Sequence, residues 1–214
     1  EESLIHLLRV NVLKRMESAV SSFALTLQRQ LRDVEAVLAQ IEQHADQAAN
    51  GDGIEEPDIA DVDIDDPAFE ALLVGRKVKV LLGDVDLIRW RQDLVEDRNR
   101  LDTLLTAAQQ VDAARDAKLA KLREMVEDKC RHPINDGNRK IIVFTAFSDT
   151  AQYLYANLAP WAKATLGIDA ALVTGSAGIQ TTLPGLRKSM SSVLSAFAPR
   201  AKERPADMAG EGEI

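Results

Sequence analysis

The stretch from Asn138 to Leu158, NRKIIVFTAFSDTAQYLYANL, constrains the fold more than any other part of the chain. Lys140 to Phe144 is a short run, mostly β-branched or aromatic, with the character of a fully buried strand. It breaks at Thr145-Ala146-Phe147. Ser148 or Asp149 then stands where a helix needs an N-cap, because its side-chain oxygen can accept from the first free backbone N–H groups. Ala151, Leu154, Tyr155 and Leu158 share one side of that helix, which is expected to stop near Pro160. Beyond it, Ile168 to Val173 offers a second buried strand ending in Thr174-Gly175-Ser176. Strand, helix and strand at this spacing predict a right-handed parallel crossover unit.

Upstream, the period changes. Ile5, Leu8, Val12, Met16, Val20, Phe23, Leu27, Leu31, Val34, Leu38, Ile41 and Ala45 recur at steps of three or four, and no Pro or Gly interrupts before Gly51. That pattern predicts one long amphipathic helix, which must lie against partner helices. Its basic residues Arg9, Lys14 and Arg15 read either as DNA-backbone contacts or as a solvated face. Residues 50–67 are rich in Gly, Asp and Pro and read as an acidic loop; no Gly at the sixth position or Glu at the twelfth makes it an EF-hand. Ala68 to Leu73 reads as a short helical turn, and Arg76 to Leu82 as an edge strand or extended connector.

Asp84 or Asp86 is placed to cap a second helix running to about Gln110, with Leu87, Trp90, Leu94, Leu101, Leu104 and Ala108 inward. Trp90, between leucines at helical spacing, reads as core rather than as a stacking platform. A third helix is expected from Asp112 to Lys129, with Leu119, Leu122 and Val126 inward. Pro184 opens a last one, with Leu186, Met190, Val193, Leu194 and Phe197 on its apolar face.

The net charge of −8 is unevenly spread. Residues 52–70 hold nine acids and no base, so the rest of the chain carries +1, and from Arg139 to Arg204 eight Lys or Arg stand against three acids. The C-terminal segment is therefore basic, as a surface facing phosphates would be. A single cysteine, Cys130, excludes an intrachain disulfide and fits a reducing, cytoplasmic setting. No apolar run approaches the ~18–20 residues of a membrane span. Cys130 and His132 lack a second ligand pair for zinc, and His6 and His44 sit alone. Glu1 in place of Met, and an end at Glu213-Ile214, read as the limits of an excised piece.

The text KIIVFTAFSDTAQYLYANL, then ALVTGS, then a helix ending VLSAFAPRAKERP, resembles the second RecA-like lobe of bacterial Swi/Snf-type, superfamily-two helicase-like ATPases. LLRVNVLKRMESAVSSFALTL and DLIRWRQDLVEDRNRL resemble the helical insertion that precedes this lobe. The resemblance implies an α+α/β fold: a helical insertion over residues 1–132, a partial parallel α/β lobe over 133–205, and a tail over 206–214. It implies a parent that is an ATP-dependent translocase of double-stranded DNA, with ATP and magnesium bound at its missing first motor lobe. It also implies that Thr145, Ala146 and Phe147, with Thr174, Gly175 and Ser176, contact the tracked DNA strand, and that Arg187 and Lys188 add charge.

The chain holds no G-x-x-x-x-G-K-[ST] loop, no acidic pair after an apolar strand and no arginine-finger helix. No catalytic residue is assigned, and the chain alone is expected neither to hydrolyse ATP nor to hold a cofactor or metal. The rival reading is a structural, coiled-coil-like module for protein interaction.

Overall fold

The computed structural model describes residues 2–49, 73–74, 80–81, 85–175 and 178–199. Its helices are α1 (Glu2–Ser18), α2 (Val20–Ala49), α3 (Leu87–Gln109), α4 (Ala117–Arg131), α5 (Ser148–Leu166) and α6 (Met190–Phe197). Two short antiparallel ladders accompany them: β1 (Leu73–Val74) with β2 (Val80–Leu81), and β3 (Ala171–Val173) with β4 (Ile179–Thr181). The protein is thus mostly helical, as the long apolar periods require. Among the described residues there is no parallel RecA-like sheet. The acidic loop at 50–67, the tail at 206–214 and most of the turn and strand expected at 68–82 lie outside the described residues.

The chain divides into two compact units, residues 25–107 and residues 1–24 with 108–214. In the first, Asp86 caps α3: its Oδ1 accepts from Arg89 N at 3.1 Å and its carbonyl from Trp90 N at 2.9 Å. Leu87, Trp90 and Leu94 then pack with Val37 around the buried Ile41, so Trp90 is a core residue. Arg91 pairs with Glu42 at 3.1 Å beside this cluster. The buried register of α3 passes through Leu105 rather than the expected Leu104, which is exposed. On α2 the fully covered apolar positions are Leu27, Leu38 and Ile41.

In the second unit, the single long helix expected from the sequence is interrupted at Ala19. Backbone bonding nevertheless continues through it, from Ala19 N to Arg15 O at 3.0 Å and from Phe23 N to Ala19 O at 3.1 Å. Asp112 closes a turn by accepting from the Ala114 and Arg115 amides, and Asp116 caps α4. α5 runs through Pro160, past its expected end, and stops at Gly167, whose left-handed φ of 67° suits a residue without Cβ. Pro160 is exposed and costs the helix one backbone donor without breaking it.

The parallel crossover does not form. Lys140 to Phe144 has no strand pairing, and Ile142, Val143 and Phe144 are 59%, 45% and 90% exposed, so the expected buried strand is neither laddered nor buried. The second expected strand shortens to β3 and pairs antiparallel with β4 in the register Ala171↔Thr181, Leu172↔Gln180, Val173↔Ile179. The physical reason is that β-propensity marks what suits a pleated surface, whereas partners decide whether a ladder exists. β3 finds its partner in the next segment of chain. The helix expected to open at Pro184 begins instead at Met190, capped by Ser189 Oγ, which accepts from Ser192 N at 3.1 Å. Leu183-Pro184-Gly185 forms a turn, with Gly185 at φ 78°.

Candidate nucleic-acid interface

The segment that leads into the candidate loop is fixed at its start by two basic side chains, each at the end of a helix. Arg139 Nη2 donates to the Leu166 carbonyl, the last residue of α5, at 2.7 Å. Lys140 Nζ donates to the Phe197 carbonyl, the last residue of α6, at 2.6 Å. Cations at helix C-termini satisfy orphan carbonyls and meet the negative end of the helix dipole. Lys129 Nζ also reaches the Asn138 carbonyl at 3.1 Å. The chain then runs through exposed Ile142 to Phe144 into Thr145-Ala146-Phe147.

Phe147, not Ser148 or Asp149, is the N-cap of α5. Its backbone is extended at φ −117°, ψ 128°, and its side chain makes no capping hydrogen bond. Its carbonyl accepts from Ala151 N at 3.1 Å, and its N–H donates to Thr145 Oγ1 at 3.3 Å. Asp149 lies in the first helical turn, where the dipole favours a carboxylate. Its Oδ2 receives Arg15 Nη1 from α1 at 2.9 Å, and the same guanidinium lies 4.8 Å from the centroid of the Phe147 ring. Arg15 is therefore half-buried and engaged within the protein rather than standing on a fully solvated face. One residue on, Thr150 Oγ1 is 2.9 Å from Ser18 Oγ and 2.8 Å from Ser22 Oγ. Thr150 is 3% exposed and Ser22 0%.

The other expected contacts are placed as follows. Ala146 is exposed, while Thr145 and Phe147 are half-buried. Thr174 is half-buried after β3, Gly175 is exposed, and Ser176 lies outside the described residues. Arg187 and Lys188 are both exposed, in the connector before α6 rather than on it. Sequence reasoning missed the Arg15–Ser18–Ser22 row. The signal it offered was the spacing of Ser18 and Ser22, four residues apart and so on one face, which lies opposite the apolar stripe through Met16, Val20 and Phe23.

Below the β3–β4 hairpin, Asp169 Oδ2 accepts from Lys163 Nζ at 2.7 Å and its Oδ1 from Thr182 Oγ1 at 2.8 Å. Thr182 Oγ1 in turn accepts from Ala170 N at 2.9 Å, so one carboxylate ties α5 to the hairpin. Burial alone would raise the Asp169 carboxyl, but the hydrogen bonds from Lys163 and Thr182, with the lysine charge, lower it overall.

Among the described residues no group of His, Cys, Asp and Glu could hold a metal. Cys130 is buried with Sγ 3.9 Å from the Arg139 carbonyl, and His132 Nδ1 lies 2.9 Å from Asp128 Oδ1. No described helix is long and apolar enough to cross a membrane. No protein-family model, curated protein or solved structure is significantly similar to this chain.

Proposed function

We propose that residues 133–205 contribute DNA-backbone contacts to the second motor lobe of an ATP-dependent, helicase-like translocase in the cytoplasm. The observation that carries the reading is the return of α5 to the start of the segment before it, through Arg139 and the Leu166 carbonyl at 2.7 Å. Segment and helix then run in opposite senses, the arrangement of half a β–α–β unit. The exposed apolar side chains of Ile142, Val143 and Phe144 support the same reading, since they suit a strand whose sheet neighbours belong to the rest of a larger lobe. The Thr145–Phe147 loop lies at the far end of that segment, before a helix N-terminus, where backbone N–H groups suit a phosphate. Arg187 and Lys188 are exposed cations on the same unit. The sequence has no phosphate loop, so ATP and magnesium are assigned to the first motor lobe, and hydrolysis with them.

The test is duplex binding by fluorescence anisotropy across a salt series. Binding should be weak, with Kd no tighter than about 10⁻⁶ M at physiological salt, and log K should fall linearly with log salt. An absence of binding at low salt refutes the reading, and so does binding that salt leaves unchanged. The chain alone should show no DNA-stimulated ATP turnover. A second reading, a module for protein interaction, is favoured by exposed Leu13 and Met16 on α1. It requires concentration-dependent self-association, or partner capture, that salt hardly affects.

A further inference from the structure

We propose that Arg15 is a positioning residue, through which α1 sets the conformation of the Thr145–Phe147 loop. Arg15, Ser18 and Ser22 stand at i, i+3 and i+7, so one face of the α1–α2 joint meets the first turn of α5 with all three side chains. Two of the contacts are hydroxyl bonds to the buried Thr150, one from the buried Ser22 and one from the half-buried Ser18. The third is the charged one. Arg15 pairs with Asp149 at 2.9 Å while its guanidinium covers the Phe147 ring at 4.8 Å.

Phe147 is a helix cap with no capping side chain of its own. Its orientation is held by the turn to Thr145 Oγ1 within the loop and by Arg15 from outside it. A planar fork can stack on a ring and donate to a carboxylate at once, whereas an ammonium is a point charge that does one well. Arg15 also neutralises Asp149, which would otherwise repel a phosphate approaching the α5 N-terminus. Movement of α1 is thereby transmitted to the loop. The consequence for DNA rests on the function proposed above, while the coupling between helix and loop does not.

Wild type, Arg15→Gln, Arg15→Lys and Asp149→Asn, each as the full chain, are compared by hydrogen exchange and by anisotropy with a short blunt duplex over a salt series. In Arg15→Gln the amides of residues 145–151 should exchange about tenfold faster, with α4 unchanged as the control for folding. Arg15→Lys should recover only part of the protection. Asp149→Asn, which keeps Arg15 on the ring, should fall between. Duplex affinity of Arg15→Gln should drop several-fold with an unchanged salt slope. Unchanged exchange in both Arg15→Gln and Asp149→Asn overturns the proposal. So does a salt slope smaller by about one, since Arg15 would then itself hold a phosphate. Faster loop exchange in a protein whose wild type binds no duplex upholds the coupling and removes the DNA reading instead.

Discussion

Tyr153 on α5 donates its hydroxyl to Oδ2 of Asp116 at 2.8 Å, while Oδ1 of the same carboxylate accepts from Lys118 N at 2.9 Å and Leu119 N at 3.0 Å. One aspartate therefore caps α4 and holds the helix packed against it. Further along the same interface Arg123 Nη2 reaches the Asn157 carbonyl at 3.0 Å, and its guanidinium lies 5.7 Å from the Trp161 ring centroid. The buried Leu119 and Val126 face the same side of α4. The seam thus combines apolar burial with polar contacts that fix one register, because a helix slid along its neighbour would strand the aspartate and the arginine.

Dividing the two duties of Asp116 predicts a ranked pair of variants. Tyr153→Phe removes one hydrogen bond to a charged acceptor and should cost about 1–2 kcal/mol. Asp116→Ala removes the same bond and the cap, worth about 1 kcal/mol more. Urea unfolding of both proteins measures the difference. Equal losses would mean that the cap contributes nothing.

The same phenol predicts a loss of stability in alkali. Burial, then the bond to Asp116 and its negative charge, push the Tyr153 hydroxyl well above its ordinary value, and burial with Asp169 raises Tyr155 in the same direction. The folded state therefore keeps these protons at a pH where the unfolded chain has lost them. Their contribution is whole below about pH 10 and falls as pH rises from there toward the folded values. Tyr153→Phe should flatten that alkaline decline, as read from urea midpoints over a pH series.

Asp169 predicts the opposite limb. Its side chain is 9% exposed, and its carboxyl is held below the ordinary range. The stabilisation it supplies is present above an unfolded value of about 3.9 and is lost as pH falls through the depressed folded value. Asp169→Asn should cost about 1–2 kcal/mol at neutral pH. Wild type and variant should converge in strong acid. A constant gap across the acid range would place the loss in packing rather than in charge.

Where a segment's own period decided its state, the sequence was a sufficient guide: the apolar stripes of α2, α3 and α4 gave helices, and Trp90 fell into the cluster around Ile41. It failed where the outcome depended on what the segment meets. Nothing local distinguishes Lys140–Phe144 with partners from the same residues without them, and nothing local told Ile168–Val173 to pair antiparallel with Ile179–Thr181. Caps behaved likewise. Asp86 was within reach of sequence rules, but the helix expected from Asp112 begins at Ala117 behind the Asp116 cap, and the cap position of α5 falls on Phe147 rather than on Ser148 or Asp149, whose carboxylate pairs with Arg15 from far away in sequence. The helix that follows Thr145-Ala146-Phe147 was legible, whereas the contacts that Arg15, Ser18 and Ser22 make with its first turn were not, because they join residues far apart in sequence.

Phe144 separates the two accounts of the 140–144 segment by a single measurement. As a fully buried strand residue it would lose about 3–5 kcal/mol on truncation to alanine. With 90% of its surface exposed and no ladder around it, Phe144→Ala should instead leave stability within about 0.5 kcal/mol of wild type. Phe144→Asp should be equally harmless to folding, since the side chain meets solvent rather than a core. Urea unfolding of both variants reads the effect. A loss of several kcal/mol in Phe144→Ala would mean that this side chain is packed in solution, and would restore the buried strand.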